Sequence, residues 1–302
     1  MKSNLPDDLA AAIEQARPRL GRLASTIVFF DTIGSTNDEA AARSAQAFKL
    51  RDNENASWSA TLREPQGRPE PGRGTRASAE RPEGLVVVAE QQTAGRGRRG
   101  HTWFSPPGSG LYVSVVLAPA TATTDPARAT TLLTLAAGVA LAEGIEQATG
   151  LRVDLKWPND LQVSRRKLGG ILAEASGSGD RSDTVVVGYG INVRPSAFPP
   201  ELRDRATSLE SELGRAVDRH QVLAETLAAL SRRYEDLLAG RFDAILDAWR
   251  RLAPGAAGAR VTWATHAGAS SGVTAGIDDL GALLVRIDDR IERIVSGEVV
   301  WL

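Results

Sequence analysis

Three short runs constrain this chain most: "LVVVAE" (85–90), "GLYVSVVL" (110–117) and "DTVVVGYGINV" (183–193). Polar and apolar residues do not alternate along them, so each reads as a buried strand, with Ser114 interrupting the second. Between the last two, Asp125-Pro126 has the form of a helix start, and the alanine-rich stretch that follows runs to a stop at Gly150. A chain with such strands and such a helix must build a sheet and cover it.

The flanking segments extend the pattern. "PDDLAAAIEQARPRL" (6–20) predicts a short leading helix and "TIVFFD" (26–31) a strand. Thr36 followed by Glu39 fits a capping box opening a helix to about Phe48. "VDLKW", a "PND" turn, "LQV", a basic turn "SRRK" and "LGGILAEAS" predict three further strands across 153–176. Residues 218–240 and 242–252 read as helices, the second ending before Pro254. From about residue 258 short β-rich runs alternate with Gly, Asp-Asp and Ser-Gly turns, the pattern of a small barrel or sandwich. Residues 51–83 are poor in apolar side chains and rich in Gly, Pro, Arg and Glu, and read as a disordered insertion.

Bulk numbers exclude several classes. The 302 residues suffice for one large and one small domain. A net charge of −1 argues against a globally basic nucleic-acid binder, so an anion site must be local. There are no cysteines, and the three histidines, His101, His220 and His266, lie far apart, which removes thiolate chemistry and the usual metal spacings. The N-terminus lacks the apolar core of a signal peptide, and no apolar run approaches the roughly 20 residues of a membrane span. The expectation is a soluble, cytoplasmic protein without a membrane partner.

Four segments carry chemistry. "GRGRRG" (95–100) follows a strand and matches the dinucleotide pattern literally, but it continues into "HTWFSPPGSG" instead of opening a helix, which removes the Rossmann reading. What remains is a solvated basic turn or a flexible loop that folds over an anion with Arg96 and Arg98. Trp103 and Phe104 close behind favour the second. "KWPND" and "SRRKLGGIL" place Lys156 and Lys167 around a hairpin. Lys167 enters an otherwise apolar strand, its amine at the edge of an apolar sheet, and the paired glycines 169–170 leave room for close approach. "GSTN" (34–37) caps a helix and also suits a neutral polar ligand. "GYGIN" (188–192) marks either close ligand approach or a bulge.

Taken together, "STNDEA", "AEQQTAGRGRRGHTWFSP", "LKWPNDLQV", "RKLGGILAE", "VVGYGINV" and the terminal "GIDDLGALLV…SGEV" resemble the biotin protein ligases from about Val28 to Leu302. The resemblance implies an α+β catalytic domain, a mixed sheet backed by helices and related to class II aminoacyl-tRNA synthetases and biotin-lipoyl ligases. A small SH3-like β-barrel follows it. The implied organisation is a helical lead (1–25), a catalytic domain (26–255, with the insertion at 51–83) and the barrel (256–302). The implied activity joins biotin and ATP into biotinyl-5′-adenylate, then transfers biotin to a lysine of a biotin carboxyl carrier domain of acetyl-CoA or a related acyl-CoA carboxylase. A lipoate or octanoate ligase is the competing enzyme, and a non-catalytic biotin sensor or RNA binder the competing class.

Residue by residue, the resemblance assigns Lys167, Asp160 and Arg98 to catalysis. It places Ser35, Thr36, Asn37, Gln92, Gly95, Arg96, Gly97, Arg98, Lys167 and Gly170 around biotin. Arg98, Trp103, Asn159, Lys167 and Asn192 fall on the nucleotide. Mg²⁺ is expected on the phosphates, with no ligand set identified. His101 stands where the family usually has arginine, which leaves less charge for phosphate. The strand "FFD" begins near residue 29, so the resemblance implies no N-terminal DNA-binding domain and no DNA partner. A homodimer is compatible with the sequence and not decided by it.

Overall fold

The computed structural model describes residues 5–47, 82–176, 184–195, 198–265 and 268–302. Most of the insertion read at 51–83, and His266, lie outside the described residues.

Seven strands form the main sheet: β1 (Thr26–Phe30), β2 (Leu85–Ala89), β3 (Gly110–Leu117), β4 (Asp154–Lys156), β5 (Asp160–Val163), β6 (Arg166–Ser176) and β7 (Thr184–Asn192). Their order is β1-β2-β3-β7-β6-β5-β4. Only β1 and β2 pair in parallel, so the sheet is mixed, as expected. The three apolar runs are its adjacent strands β2, β3 and β7, buried along nearly their whole length. Lys167 therefore does not stand at a sheet edge: β6 lies between β7 and β5. Sequence alone cannot say which strand is outermost.

Helix α1 (Asp7–Ala16), the long α3 (Pro126–Thr149), α5 (Arg219–Leu238) and α6 (Phe242–Leu252) gather on one side of this sheet. Asp125 caps α3 by accepting from Arg128 N at 2.9 Å, and the helix ends at Gly150, as its sequence predicts. At Gly144 a side chain would stand 2.6 Å from the Thr226 Cα of α5, so glycine lets the two helix backbones touch. By length and composition alone α3 is long and apolar enough to cross a membrane, but 72% of its most apolar window is buried inside the protein, as in the core helix of a globular fold.

Helix α2 (residues 36–47) covers the other face. Side chains alternate across a strand. Val86, Val88, Val113, Val115, Val187 and Tyr189 therefore face α1, α3 and α5. Val87, Val116 and Val186 face α2 with Ala40. On that second face the row through Ser114, Gly188 and Leu172 and the row through Tyr112, Gly190, Gly170 and Asp160 lie side by side, by strand register. Small residues replace valine there and open a hollow beside α2.

The cap of α2 falls on Ser35, not Thr36. Ser35 Oγ accepts from Asp38 N at 3.5 Å, and the helical turn starts from Ser35 O. Glu39 pairs forward with Arg43 instead of reaching back. Thr36 is drawn out of capping because Gln92 takes both its backbone N–H and its hydroxyl. A short helix, α4 (Leu209–Leu213), capped by Ser208 and ended by Gly214, lies outside the elements expected from the sequence.

A second sheet follows: β8 (Ala257–Thr265), β9 (Gly268–Ile277), β10 (Leu283–Ile287), β11 (Arg290–Ile294) and β12 (Val299–Trp301). It is antiparallel in the order β11-β10-β9-β8-β12, five strands consistent with an SH3-like unit, and among the described residues the pairing does not close into a full barrel. Val261, Leu283 and Val285 join the same apolar core as α3.

Candidate active site

A cleft of about 1200 Å³ opens over the α2 face and extends to the second sheet. Ser35, Thr36, Asn37, Gln92, Arg96, Gly97, Arg98, Trp103, Asn159, Asp160, Lys167, Gly170 and Asn192 all line it. Of the site residues assigned by the resemblance only Gly95 does not. It sits behind the wall, where a side chain would stand 2.4 Å from Trp103 O.

One end of the cleft is lined by neutral polar side chains. Gln92 Oε1 accepts from Thr36 N at 2.9 Å and from Thr36 Oγ1 at 3.1 Å, while Gln92 Nε2 donates to Ser105 Oγ at 2.9 Å. Ser114 Oγ lies 2.8 Å from Thr36 Oγ1 and 2.6 Å from Asn37 Oδ1, with one proton for two acceptors. Asn37 Nδ2 donates to Glu174 Oε2 at 3.0 Å. Ser35, Thr36 and Asn37 are all buried, so a polar ring placed here meets fixed donors and acceptors. At Gly188 an added side chain would overlap Asn37 Oδ1, and at Gly190 it would meet Trp103 Nε1 at 2.3 Å. The Gly-x-Gly pair thus makes room first for the protein's own Asn37 and Trp103.

The middle of the cleft is cationic. Lys167 Nζ lies 2.6 Å from Asp160 Oδ1 and 5.5 Å from the centre of the Trp103 ring. The amine is therefore paired, and strand register explains why, because Asp160 stands opposite Gly170, whose missing side chain leaves the space. The turn that carries Asp160 is docked on β6 through Asn159, whose Nδ2 donates to Ile171 O at 2.8 Å. Arg98 NH1 donates to Asn159 Oδ1 at 3.2 Å. Burial, reinforced by the charge of Arg99, pulls the Arg98 guanidinium below the ordinary arginine range, against the opposing pull of Asp160.

The glycine-arginine segment forms a compact turn. Gly97 N donates to His101 O at 2.7 Å, His101 N to Arg98 O at 3.1 Å, and Trp103 N to Gly95 O at 2.9 Å. His101 serves this turn through its backbone. Trp103 Nε1 is buried and has no hydrogen-bond partner among the described residues, a donor turned into the cleft wall.

The far end holds residues to which the sequence assigned no role. Lys156 Nζ lies 4.9 Å from the centre of the Trp301 ring of β12, and Arg205, Arg260 and Phe198 line the wall nearby. Burial lowers the Lys156 amine from its usual value. Asp160 opposes that shift, and Lys167 and Arg205 push the same way as burial. Lys156 stands in the "KWPND" segment and was visible; Arg205 and Trp301 had no local motif to mark them. Asn192 at this side donates to Thr207 O at 3.0 Å. No group of three or more metal-ligating His, Asp or Glu side chains occurs among the described residues.

Residues 73–192 match the Biotin/lipoate A/B protein ligase family, and residues 258–301 match the Biotin protein ligase C terminal domain. A "Biotin--[acetyl-CoA-carboxylase] ligase" from Paracoccus denitrificans is 36% identical over 224 residues, which cover 70% of this chain and 88% of that protein. This chain belongs to the biotin protein ligase family. The "Bifunctional ligase/repressor BirA" of Bacillus subtilis is 40% identical over 220 residues, 72% of this chain and 66% of the longer BirA. Among solved structures, the biotin protein ligase from Aquifex aeolicus in complex with biotin and ATP superposes with a TM-score of 0.67 at 26% identity, covering 92% of this chain and 99% of that one. Both sheets of the ligase fold are thus accounted for.

Proposed function

We propose that this chain activates biotin with ATP and transfers it to a lysine of a biotin carboxyl carrier domain. The observation that carries the reading is one continuous cleft with a buried, neutral, hydrogen-bonding end at Thr36, Asn37 and Gln92 and a cationic middle at Lys167 and Arg98. Biotin has that polarity: a neutral ureido ring at one end and a carboxylate at the other.

In the first step a biotin carboxylate oxygen attacks the α-phosphorus of ATP and pyrophosphate leaves. Two anions meet, and fixed positive charge lowers the cost of the encounter. Lys167 supplies it at the reacting atoms, with Arg98 beside it. Trp103, Asn159 and Asn192 bound the nucleotide side. Mg²⁺ would arrive on the ATP phosphates as part of the substrate, since no described carboxylate cluster would cage it. In the second step a carrier lysine amine attacks the acyl carbon of the mixed anhydride, an amide forms and AMP leaves. Asp160 is placed to orient that amine or take its proton. Residues 26–255 are the catalytic unit in this reading and 256–302 the SH3-like unit that closes one end of the cleft. The carrier domain of an acyl-CoA carboxylase is the protein partner and the cytoplasm the compartment.

The test is pyrophosphate release from ATP. Release that requires biotin, followed by label transfer from biotin to a carrier domain, is expected. Transfer of lipoate but not biotin would replace this reading with the lipoate ligase, whose long acyl chain has no use for the polar end. Absence of pyrophosphate release with either acid would leave a sensor.

A further inference from the structure

Arg96 enters the sequence reading as an anion ligand, yet in the fold its guanidinium is already occupied. NH1 donates to Asp38 on α2 and NH2 donates to Glu174 on β6. Two carboxylates face one cation, so the cluster carries a formal charge of −1 and repels a phosphate. Arg98 differs, since it donates to the neutral amide oxygen of Asn159. Glu174 has a second contact: its other oxygen accepts from Asn37 Nδ2, part of the buried polar end of the cleft. Glu174 thus joins the arginine turn to the pocket floor, and Asp38 joins the same turn to the first turn of α2.

We propose that Asp38 and Glu174 form a carboxylate latch that holds the arginine turn over the polar end of the cleft by gripping Arg96, which makes Arg96 a positioning residue and leaves anion binding to Arg98. The planar fork of arginine suits this because its two edges can each take one carboxylate. All three groups are partly exposed, so each pair alone holds weakly, and the linkage between three elements supplies the grip. A ligand that engages Asn37 competes for, or strengthens, the contact with Glu174, so pocket occupancy and turn position become coupled. The assignment of that ligand as biotin rests on the proposed function; the latch does not.

Trypsin cleavage of the ligand-free protein after Arg98 and Arg99, followed by mass spectrometry, tests the latch without any ligase assay. Cleavage inside a turn tracks the population of its open form. Asp38→Asn, Glu174→Gln and Arg96→Gln should each speed cleavage at these two sites by roughly three- to tenfold. The double carboxylate variant should match Arg96→Gln, with no further gain when all three are combined. Raised salt should speed wild-type cleavage and leave Arg96→Gln unchanged. Cleavage at the wild-type rate in Asp38→Asn and Glu174→Gln overturns the latch. A second measurement separates the rival role. If Arg96 binds anions, the carboxylate variants lower the KM for ATP while Arg96→Gln raises it; the latch requires all three to move adenylate release in the same direction. Altered cleavage together with absent pyrophosphate release would sink the ligase reading and leave the latch standing.

Discussion

A single methyl group at residue 190 separates two accounts of the Gly-x-Gly pair. An alanine Cβ there would stand 2.3 Å from Trp103 Nε1 and 2.4 Å from Cε2, and the indole is too rigid to bend away. Gly190→Ala should displace the ring that borders Lys167 while leaving β7 paired. Overpacking of this kind costs about 1–3 kcal/mol. Release of the adenylate should therefore speed by roughly tenfold or more with only a small change in Tm, read by trapping released adenylate and by a thermal melt; an unchanged release rate would show that Trp103 does not border the ligand. Lys167→Met should lower biotin-dependent pyrophosphate release by about 10²-fold or more, because the charge at the reacting centre goes. Asp160→Asn should leave most of that first step and impair transfer to the carrier. The two variants affecting the same step equally would contradict the division of labour between them.

At the scale of the element, what was legible follows from periodicity. Strands β2, β3 and β7 and helix α3 were readable to within a residue or two because burial on both faces, a proline start and a glycine stop are local signals. The polar break at Ser114 was visible too, but its meaning was not. Only the register shows that Ser114 lies opposite Gly188, on the face that α2 covers. The same holds for Glu174, an ordinary strand residue in sequence and a partner of Asn37 and Arg96 in the fold. The Thr36 cap was misplaced because a distant Gln92, beyond the insertion, claims its N–H. The site residues found by motif did converge; the contacts that hold them come from strands far apart in the chain. Ser114→Val tests this. Valine suits the strand as well as its neighbours do, yet Thr36 and Asn37 lose a buried partner, so Tm should fall by roughly a few degrees. Leaving such groups unsatisfied costs about 1–3 kcal/mol, so the Kd for biotin by calorimetry should rise roughly tenfold. A lowered Tm with unchanged Kd would place Ser114 in the core instead of the site.

Across the whole molecule the cleft depends on how the two sheets meet. Trp157 Nε1 donates to Gly281 O at 2.9 Å, Arg165 NH2 to Leu302 O at 3.0 Å, and Lys156 rests over Trp301. Trp157 and Lys156 immediately precede the turn that carries Asn159 and Asp160, so the second sheet braces the catalytic turn from behind. The shared apolar core predicts a single unfolding transition for both sheets. Lys156 gives this seam a pH signature. Its amine is lowered from the ordinary 10.5 mainly by burial, with Asp160 and Glu298 opposing and Lys167 and Arg205 reinforcing. The folded pKa then lies below the unfolded one. Below both, the proton is bound in either state and stability does not change with this group. Between them the unfolded chain holds the extra proton, so stability rises with pH. Buried phenols act in the opposite sense, since Tyr112, Tyr189 and Tyr234 are pushed above their usual value and lose stability once the unfolded chain ionises. Subtracting the curve of Lys156→Met from that of the wild type removes them. Urea unfolding across the alkaline range should show this difference rising as pH climbs toward 10.5 and flat at neutral pH; a difference that falls over the same window would mean that the Trp301 face holds the ammonium more firmly than burial expels it.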